Sequence, residues 1–75
     1  MNEREPLLFL RLPEVKRRTA LGRSTIYKRV EEGTFPAPVR IGSRAVAWSS
    51  HEVAEWIAST LAAARITSSN GGEEG

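Results

Sequence analysis

The first half of the chain contains two short helical patterns separated by a turn, and this arrangement limits the fold more than any other feature. Val15 and Thr19 lie one helical turn apart in the first pattern, and Ile26 and Val30 repeat the i, i+4 spacing in the second. Gly33 follows as the residue type most often found just past a helix end. The sequence therefore predicts two short helices that share one apolar core.

The predicted outward face of the second helix is polar and begins with a cation. Ser24, Lys28 and Glu31 point directly away from the core, Thr25 and Tyr27 lie on the flanks of this face, and Arg23 lies nearer the buried side at its N-terminus. Such a face is typical of the recognition helix of a helix-turn-helix, whose N-terminal residues contact base edges in the major groove. The same spacing also fits two helices of a small bundle with a solvated polar face.

The positive charge is concentrated in this region and in the segment that follows it. From residue 11 to 44 there are nine Lys or Arg and three Glu, a net charge of +6, whereas the rest of the chain carries −4. A localised basic region of this kind favours a polyanionic partner such as DNA. A solvated basic surface with no partner is the alternative.

Length and composition exclude several classes of protein. A chain of 75 residues forms one domain at most, and without cysteine it has neither a disulfide nor a thiolate metal site. Its single histidine, His51, cannot form a metal cluster alone. The sequence has no long apolar run, no signal-peptide pattern and no combination of catalytic groups. We therefore expect a cytoplasmic protein that is not an enzyme and has no cofactor or metal.

The chain order predicts one folded domain with polar ends. The apolar run before Pro13 is too short for a helix, so we expect an extended segment or short strand in which Leu10 and Leu12 are buried. Pro13 suits the first position of the first helix, which we expect to end near Thr19. The predicted parts are a disordered N-terminus (1–6), the domain (7–66) and a disordered tail (67–75).

Two alternating runs around Gly42-Ser43 predict a small β-hairpin after the two helices. Its expected inner face consists of Val39, Ile41, Val46 and Trp48. Arg40 then faces outward on the first strand, and Ser43 and Arg44 lie at the tip. A hairpin with basic residues beside a recognition helix can act as a wing that contacts phosphates or the minor groove. An ordinary hairpin with solubilising edge charges fits the same pattern.

The last helix has a strong start signal at Ser49. Ser49 and Glu52 form a capping box, and Trp48 can pack on Val53 as a hydrophobic staple. The apolar stripe predicted for this helix consists of Val53, Trp56, Ile57 and Leu61, so both tryptophans are expected in the core. Glu52 and Glu55 should lie away from a polyanion, and the alanine-rich end (61–66) either contacts another protein or frays.

With these residues identified, the sequence resembles the AlpA family of short phage and prophage regulators. The matching stretches are RLPEV (11–15), RSTIYKRVEEGTFPAPVRIGSRAVAW (23–48) and SHEVAEWIA (50–58). The resemblance implies a winged helix-turn-helix fold of the MerR-like and excisionase-like type, mainly α with a small β-hairpin. It also implies sequence-specific DNA binding, either to regulate transcription or to direct integrase-mediated excision.

The turn between the two helices departs from the family pattern at two positions. Family turns often have the order T-G-L-S, whereas this chain has Thr19-Ala20-Leu21-Gly22. Ala20 stands where a glycine tolerates a left-handed backbone, at a cost of about 1–2 kcal/mol if that conformation is kept. Gly22 stands where a hydroxyl cap is usual, and glycine is a weaker but acceptable N-cap.

The leading hypothesis is therefore binding of double-stranded DNA through the second helix and the wing. Arg23 and Lys28 would contact guanine edges, whereas Ser24 and Thr25 would contact bases or phosphates. The phosphate contacts would come from Tyr27, from Arg17 and Arg18 on the first helix, and from the hairpin residues Arg40, Ser43 and Arg44. The alternative is a protein-interaction module that binds an integrase, another regulator or further copies of itself.

Overall fold

The computed structural model describes the backbone of residues 6–71 and the side chains of residues 6–65. The elements in chain order are β1 (Phe9–Leu10), α1 (Leu12–Thr19), α2 (Arg23–Glu32), β2 (Val39–Arg40), β3 (Val46–Ser49) and α3 (Ser50–Gly71). The strands form an antiparallel sheet in the order β1-β3-β2. Three helices with a small sheet are the predicted architecture, a mainly helical winged helix-turn-helix.

The first helix begins one residue earlier than predicted. Arg11 is the N-cap and Leu12 the first helical residue, so Pro13 occupies the second position. Proline is tolerated there because the first four N–H groups of a helix have no partner within it. The predicted end at Thr19 is confirmed.

The turn between α1 and α2 has the left-handed backbone that the family pattern implies. Ala20 has φ 63°, and its N–H donates to the carbonyl oxygen of Lys16 at 2.8 Å. The hydroxyl of Thr19 accepts a hydrogen bond from the N–H of Leu21 at 3.2 Å. Gly22 then caps α2 in an extended conformation, with φ −81° and ψ 168°. These local hydrogen bonds hold the turn without the usual glycine.

The predicted C-cap of α2 is confirmed at Gly33. Its φ is 81°, and its N–H donates to Val30 O at 3.1 Å. The N–H of Thr34 donates to Arg29 O at 2.9 Å, which completes the hydrogen-bond pair of a Schellman motif. The chain is thereby turned out of the helix and into the proline-containing loop that follows.

The core forms where all three helices meet the central strand. Its buried members are Leu10, Val15, Ile26, Phe35, Trp48 and Val53. Trp48 and Val53 are both fully buried, as the predicted staple requires. Leu12, which was predicted to be buried, is only partly buried. On α3, Trp56 and Ile57 are partly buried and Leu61 is 47% exposed, so the predicted apolar stripe of this helix is only partly covered.

The predicted inner face of the hairpin is wrong for Val39 and Ile41. Val39 pairs with Ala47, and the N–H of Ile41 donates to Ala45 O at 2.9 Å, so three residues (42–44) form the loop instead of two. A shift of one residue moves every side chain of a strand to the opposite face. Val39 and Ile41 are accordingly 44% and 41% exposed.

The N-terminal segment joins the sheet as an edge strand. Leu10 pairs with Trp48. Leu8, which precedes the strand, forms two hydrogen bonds with Ser50. The N–H of Ser50 donates to Leu8 O, and the Ser50 hydroxyl accepts from the N–H of Leu8, each at 2.8 Å. Ser50 is the only buried polar residue among those described. This residue therefore ties β1 to the start of α3.

The predicted N-cap of α3 is confirmed, and the helix is longer than expected. The Ser49 hydroxyl accepts from the N–H of Glu52 at 3.2 Å. The helical backbone continues to Gly71, beyond the predicted domain boundary at residue 66. Extending an existing helix by one residue adds one hydrogen bond, which favours continuation through the alanine-rich segment. Residues 1–5 and 72–75 of the predicted disordered ends lie outside the described residues.

Candidate nucleic-acid interface

The outer surface of α2 carries all five residues predicted for recognition. Each of them is exposed, namely Arg23, Ser24, Thr25, Tyr27 and Lys28. Ile26 on the opposite side is fully buried and fixes the rotation of the helix about its axis. The first turn of α2 contains no acidic residue, and Gly22 supplies no side-chain cap. Neither the N-cap nor the first turn of α2 therefore places a negative charge at the positive end of the helix dipole.

Two ring contacts organise the N-terminal half of this surface. The guanidinium carbon of Arg23 lies 5.5 Å from the centroid of the Tyr27 ring, within cation–π range. The Tyr27 ring meets the indole of Trp48 edge to face, with centroids 6.0 Å apart and planes at 63°. Tyr27 therefore connects the exposed surface of α2 with the central strand of the sheet.

The corrected hairpin register changes the position of Arg40. Arg40 pairs with Val46, and alternation along β3 puts Val46 on the same face of the sheet as Trp48. Arg40 thus belongs to the face that Tyr27 contacts, and not to the outer face as predicted. It remains exposed because it lies on the edge strand.

The tip of the hairpin is held by one of its own arginines. Arg40 Nη1 donates to the carbonyl oxygen of Ser43 at 3.2 Å. Ser43 and Arg44 are both exposed in the three-residue loop. Within the described residues, no hydrogen bond or ion pair engages the Arg44 guanidinium. The wing therefore presents one arginine bound along its arm and one with free donors at its tip.

Arg17 and Arg18, the two arginines predicted on α1, both bind Glu14. Arg17 Nε lies 3.1 Å from Glu14 Oε1, and Arg18 Nε lies 2.8 Å from Glu14 Oε2. Hydrogen bonds from Arg17 and then Arg18 lower the pKa of the Glu14 carboxyl to about 2. The hydrogen bond between Arg17 and Glu14 also raises the pKa of the Arg17 guanidinium. The i, i+3 and i, i+4 spacings could have predicted this cluster, which carries a net charge of +1.

Sequence reasoning missed how the tryptophans fix the loop between α2 and the hairpin. Trp48 Nε1 donates to Pro36 O at 2.9 Å, and Trp56 Nε1 donates to Thr34 O at 2.8 Å. Phe35 packs edge to face on Trp56, with centroids 4.9 Å apart. The two indoles thereby anchor the segment that sets the position of the wing relative to α2. No local pattern in the sequence specifies these partners.

The two acidic residues in the described part of α3 border the loop between α2 and the hairpin. Glu52 and Glu55 line an open groove together with Trp56 and residues 33–39. None of the predicted recognition residues of α2 lines this groove. Among the described residues, no group of three or more His, Cys, Asp or Glu side chains could hold a metal ion. No described helix is both long and apolar enough to cross a bilayer.

Comparison with known proteins supports the resemblance found in the sequence. The family model for the prophage CP4-57 regulatory protein (AlpA) matches residues 8–61. An uncharacterized protein, ORF88 of Enterobacteria phage P4, is 46% identical over 54 residues, which is 72% of this chain and 61% of that protein. The DNA-binding transcriptional activator AlpA of Escherichia coli K12 is 35% identical over 63 residues, covering 76% of this chain and 90% of AlpA. The chain belongs to the AlpA family of prophage regulatory proteins.

Proposed function

We propose that this protein binds double-stranded DNA in a sequence-specific manner and regulates transcription of phage or prophage genes. The observation that carries the proposal is the exposed polar surface of α2, which lies within the segment of net charge +6 (11–44). Kinship with a protein named as a DNA-binding transcriptional activator supports the same conclusion. The function requires no catalytic group or cofactor, and its place is the bacterial cytoplasm, on the nucleoid when bound to DNA.

In this proposal α2 lies in the major groove with its N-terminal half against the bases. Arg23 and Lys28 can donate to the N7 and O6 acceptors of guanine, which is the commonest specific contact in this groove. Ser24 and Thr25 have short hydroxyl side chains that suit bases or nearby phosphates. This assignment is supported by the exposure of all four side chains on one helix.

The remaining basic residues would contact the DNA backbone. Arg44 at the wing tip has free donors for a phosphate or for the minor groove, and Arg40 and Ser43 support the tip. Arg17 and Arg18 would add phosphate contacts from α1, with Glu14 holding their side chains in place. These contacts would fix the orientation of α2 without contributing sequence information.

The test separates base recognition from backbone binding. A duplex selected by the protein from a random-sequence pool is titrated beside a scrambled duplex of the same composition, at several salt concentrations. Arg23→Ala should cost about 1–3 kcal/mol on the selected duplex and relax its sequence preference. Arg44→Ala should weaken both duplexes alike and reduce the salt slope by about 1. Equal affinity of the unmodified protein for both duplexes would refute sequence-specific binding.

A protein-interaction module is the second candidate, and the exposed part of α3 around Leu61 favours it. Leu61 is 47% exposed and lines a groove with Leu21, Trp56 and Ile57. An integrase, another regulator or a second copy of this chain could dock there. Excision, with the protein as a directionality factor, combines DNA binding with an integrase contact. An integrase gene beside the gene for this chain would favour that variant of the function.

A further inference from the structure

Arg23 differs from the arginines of α1 in the kind of partner it has. Arg17 and Arg18 donate guanidinium N–H groups to the Glu14 carboxylate. Arg23 instead lies over the ring of Tyr27, and within the described residues no carboxylate or carbonyl accepts its donors. A ring attracts the guanidinium through its π-face and leaves the N–H edge free. Arg23 is thus held by a contact that does not compete with base recognition.

The ring that holds Arg23 is itself held by the core. Tyr27 contacts Trp48 edge to face, and Trp48 is fully buried on the central strand. Trp48 is fixed further by its hydrogen bond to Pro36 O. Within the described residues the Tyr27 hydroxyl has no hydrogen-bond partner, so packing alone sets the position of the phenol. A continuous chain of contacts therefore runs from the core to the first residue of α2.

We infer that Tyr27 is a positioning residue whose ring holds Arg23 for base recognition. The inference rests on the proposed function, in which Arg23 contacts a base, and it assigns the ring and not the hydroxyl as the group that matters. A pre-positioned guanidinium loses less conformational freedom when its fork binds guanine. Tyr27 consequently contributes to the preference for one sequence over another, beyond any phosphate contact made by its hydroxyl.

Two substitutions separate the ring from the hydroxyl. Tyr27→Phe keeps the ring and removes the hydroxyl, whereas Tyr27→Leu removes the ring and keeps an apolar residue with good helix propensity. In the protein without DNA, the NMR signals of the Arg23 side chain report its position over the ring. We expect ring-current shifts of these signals in the original protein and in Tyr27→Phe, and their loss in Tyr27→Leu.

The second readout is the ratio of affinities for the selected and scrambled duplexes. Tyr27→Leu should lower this ratio about two- to fivefold, the range expected for loss of an exposed cation–π contact, and Tyr27→Phe should preserve it. In an Arg23→Ala background, Tyr27→Leu should leave the ratio unchanged, because the residue that Tyr27 positions is already absent. Thermal unfolding of each variant, followed by circular dichroism, verifies that the helices are intact.

Three results would overturn the inference. These are unshifted Arg23 signals in the original protein, an equal loss of preference in Tyr27→Phe and Tyr27→Leu, or an undiminished effect of Tyr27→Leu in the Arg23→Ala background. If the original protein fails to distinguish the two duplexes, the proposed function fails. The NMR measurement then still decides whether the ring holds Arg23.

Discussion

Two residues of the helix-turn-helix adopt left-handed backbone conformations, and only one of them is glycine. Ala20 ends α1 with φ 63°, and Gly33 ends α2 with φ 81°. The left-handed region costs a residue with a Cβ about 1–2 kcal/mol, whereas glycine enters it freely. Beyond its immediate neighbours in the chain, no atom would lie within 4 Å of a Cβ at Gly33, so the requirement for glycine is conformational and not steric.

Substitutions at the two caps should therefore change stability in opposite directions. Ala20→Gly should raise the free energy of unfolding by up to about 1 kcal/mol, since relief of strain exceeds the entropy that glycine adds to the unfolded chain. Gly33→Ala should lower the free energy of unfolding by about 1–2 kcal/mol, because a residue with a Cβ is strained in the left-handed conformation. Urea unfolding of the three proteins measures both changes. A loss of stability in Ala20→Gly would show that Ala20 is not strained.

The Glu14 carboxylate binds two arginine side chains of α1 and should make the stability of the fold depend on pH. Arg17 and Arg18 lower its pKa in the folded protein to about 2 from an ordinary value of 4.5. A group with a lowered pKa stabilises the fold above its unfolded pKa and loses that contribution as the pH falls towards the folded value. The expected window is thus between about pH 4.5 and 2.

Glu14→Gln tests this titration directly. The variant should lose less stability than the original protein between pH 4.5 and 2, because an amide has no proton to bind. Unfolding in urea is measured at steps across this range, with Glu31→Gln, an exposed change on α2, as the control. Identical pH profiles for the original protein and Glu14→Gln would contradict the assignment.

Helix boundaries could be predicted from a few adjacent residues, whereas the register between the paired strands could not. Gly33 and Ser49 mark helix boundaries because a cap depends on a few adjacent residues. The hairpin register depends on whether two or three residues form the loop, and both lengths suit the segment around Gly42-Ser43. The error at Val39 and Ile41 follows from that single choice.

Non-local partners account for the other features that the sequence did not specify. The paired residues of β1 and β3 lie 38 and 40 positions apart in sequence, and only the folded chain brings Leu8 to the Ser50 hydroxyl. The carbonyl partners of the two indoles lie 12 and 22 residues away in sequence. The exposed surface of α2 was predictable because helical periodicity alone determines it once Ile26 is in the core.

The two tryptophans should differ in their contribution to stability. Trp48→Phe removes a hydrogen bond to Pro36 O and leaves a cavity in the core, so we expect a loss of about 1–3 kcal/mol. Trp56→Phe removes a hydrogen bond to Thr34 O at a half-buried position, with an expected loss of about 0.5–1.5 kcal/mol. Chemical denaturation gives both values. A smaller loss for Trp48→Phe would contradict its central place in the core.

At the scale of the whole molecule, charge and size limit how the protein can act. The +6 region (11–44) contains α1, α2, the first strand of the wing and its tip, whereas the carboxylates Glu52 and Glu55 lie on α3. Concentrating the positive charge on one part of a small domain favours a single DNA-facing surface. A module of this size buries little DNA surface, so strong discrimination between sites requires several copies or a partner.

The binding curve on DNA with two adjacent sites should therefore be steeper than the curve on DNA with one site. We expect duplexes with two selected sites in tandem to be filled over a narrower range of protein concentration than duplexes with one. The cause is that a neighbouring copy adds contacts that a single module lacks. Gel-shift titrations of both duplexes provide the comparison, and a tandem duplex with one site scrambled is the control. Equal steepness would indicate that the copies bind independently.

Whether the outer surface of α2 and the tip of the wing contact DNA together can be measured by NMR. Amide chemical shifts of the labelled protein are followed during titration with the selected duplex. We expect the largest perturbations at Ser24, Lys28 and Arg44. Perturbations confined to residues 61–66, with no change at those three positions, would contradict this expectation and favour a protein-interaction surface.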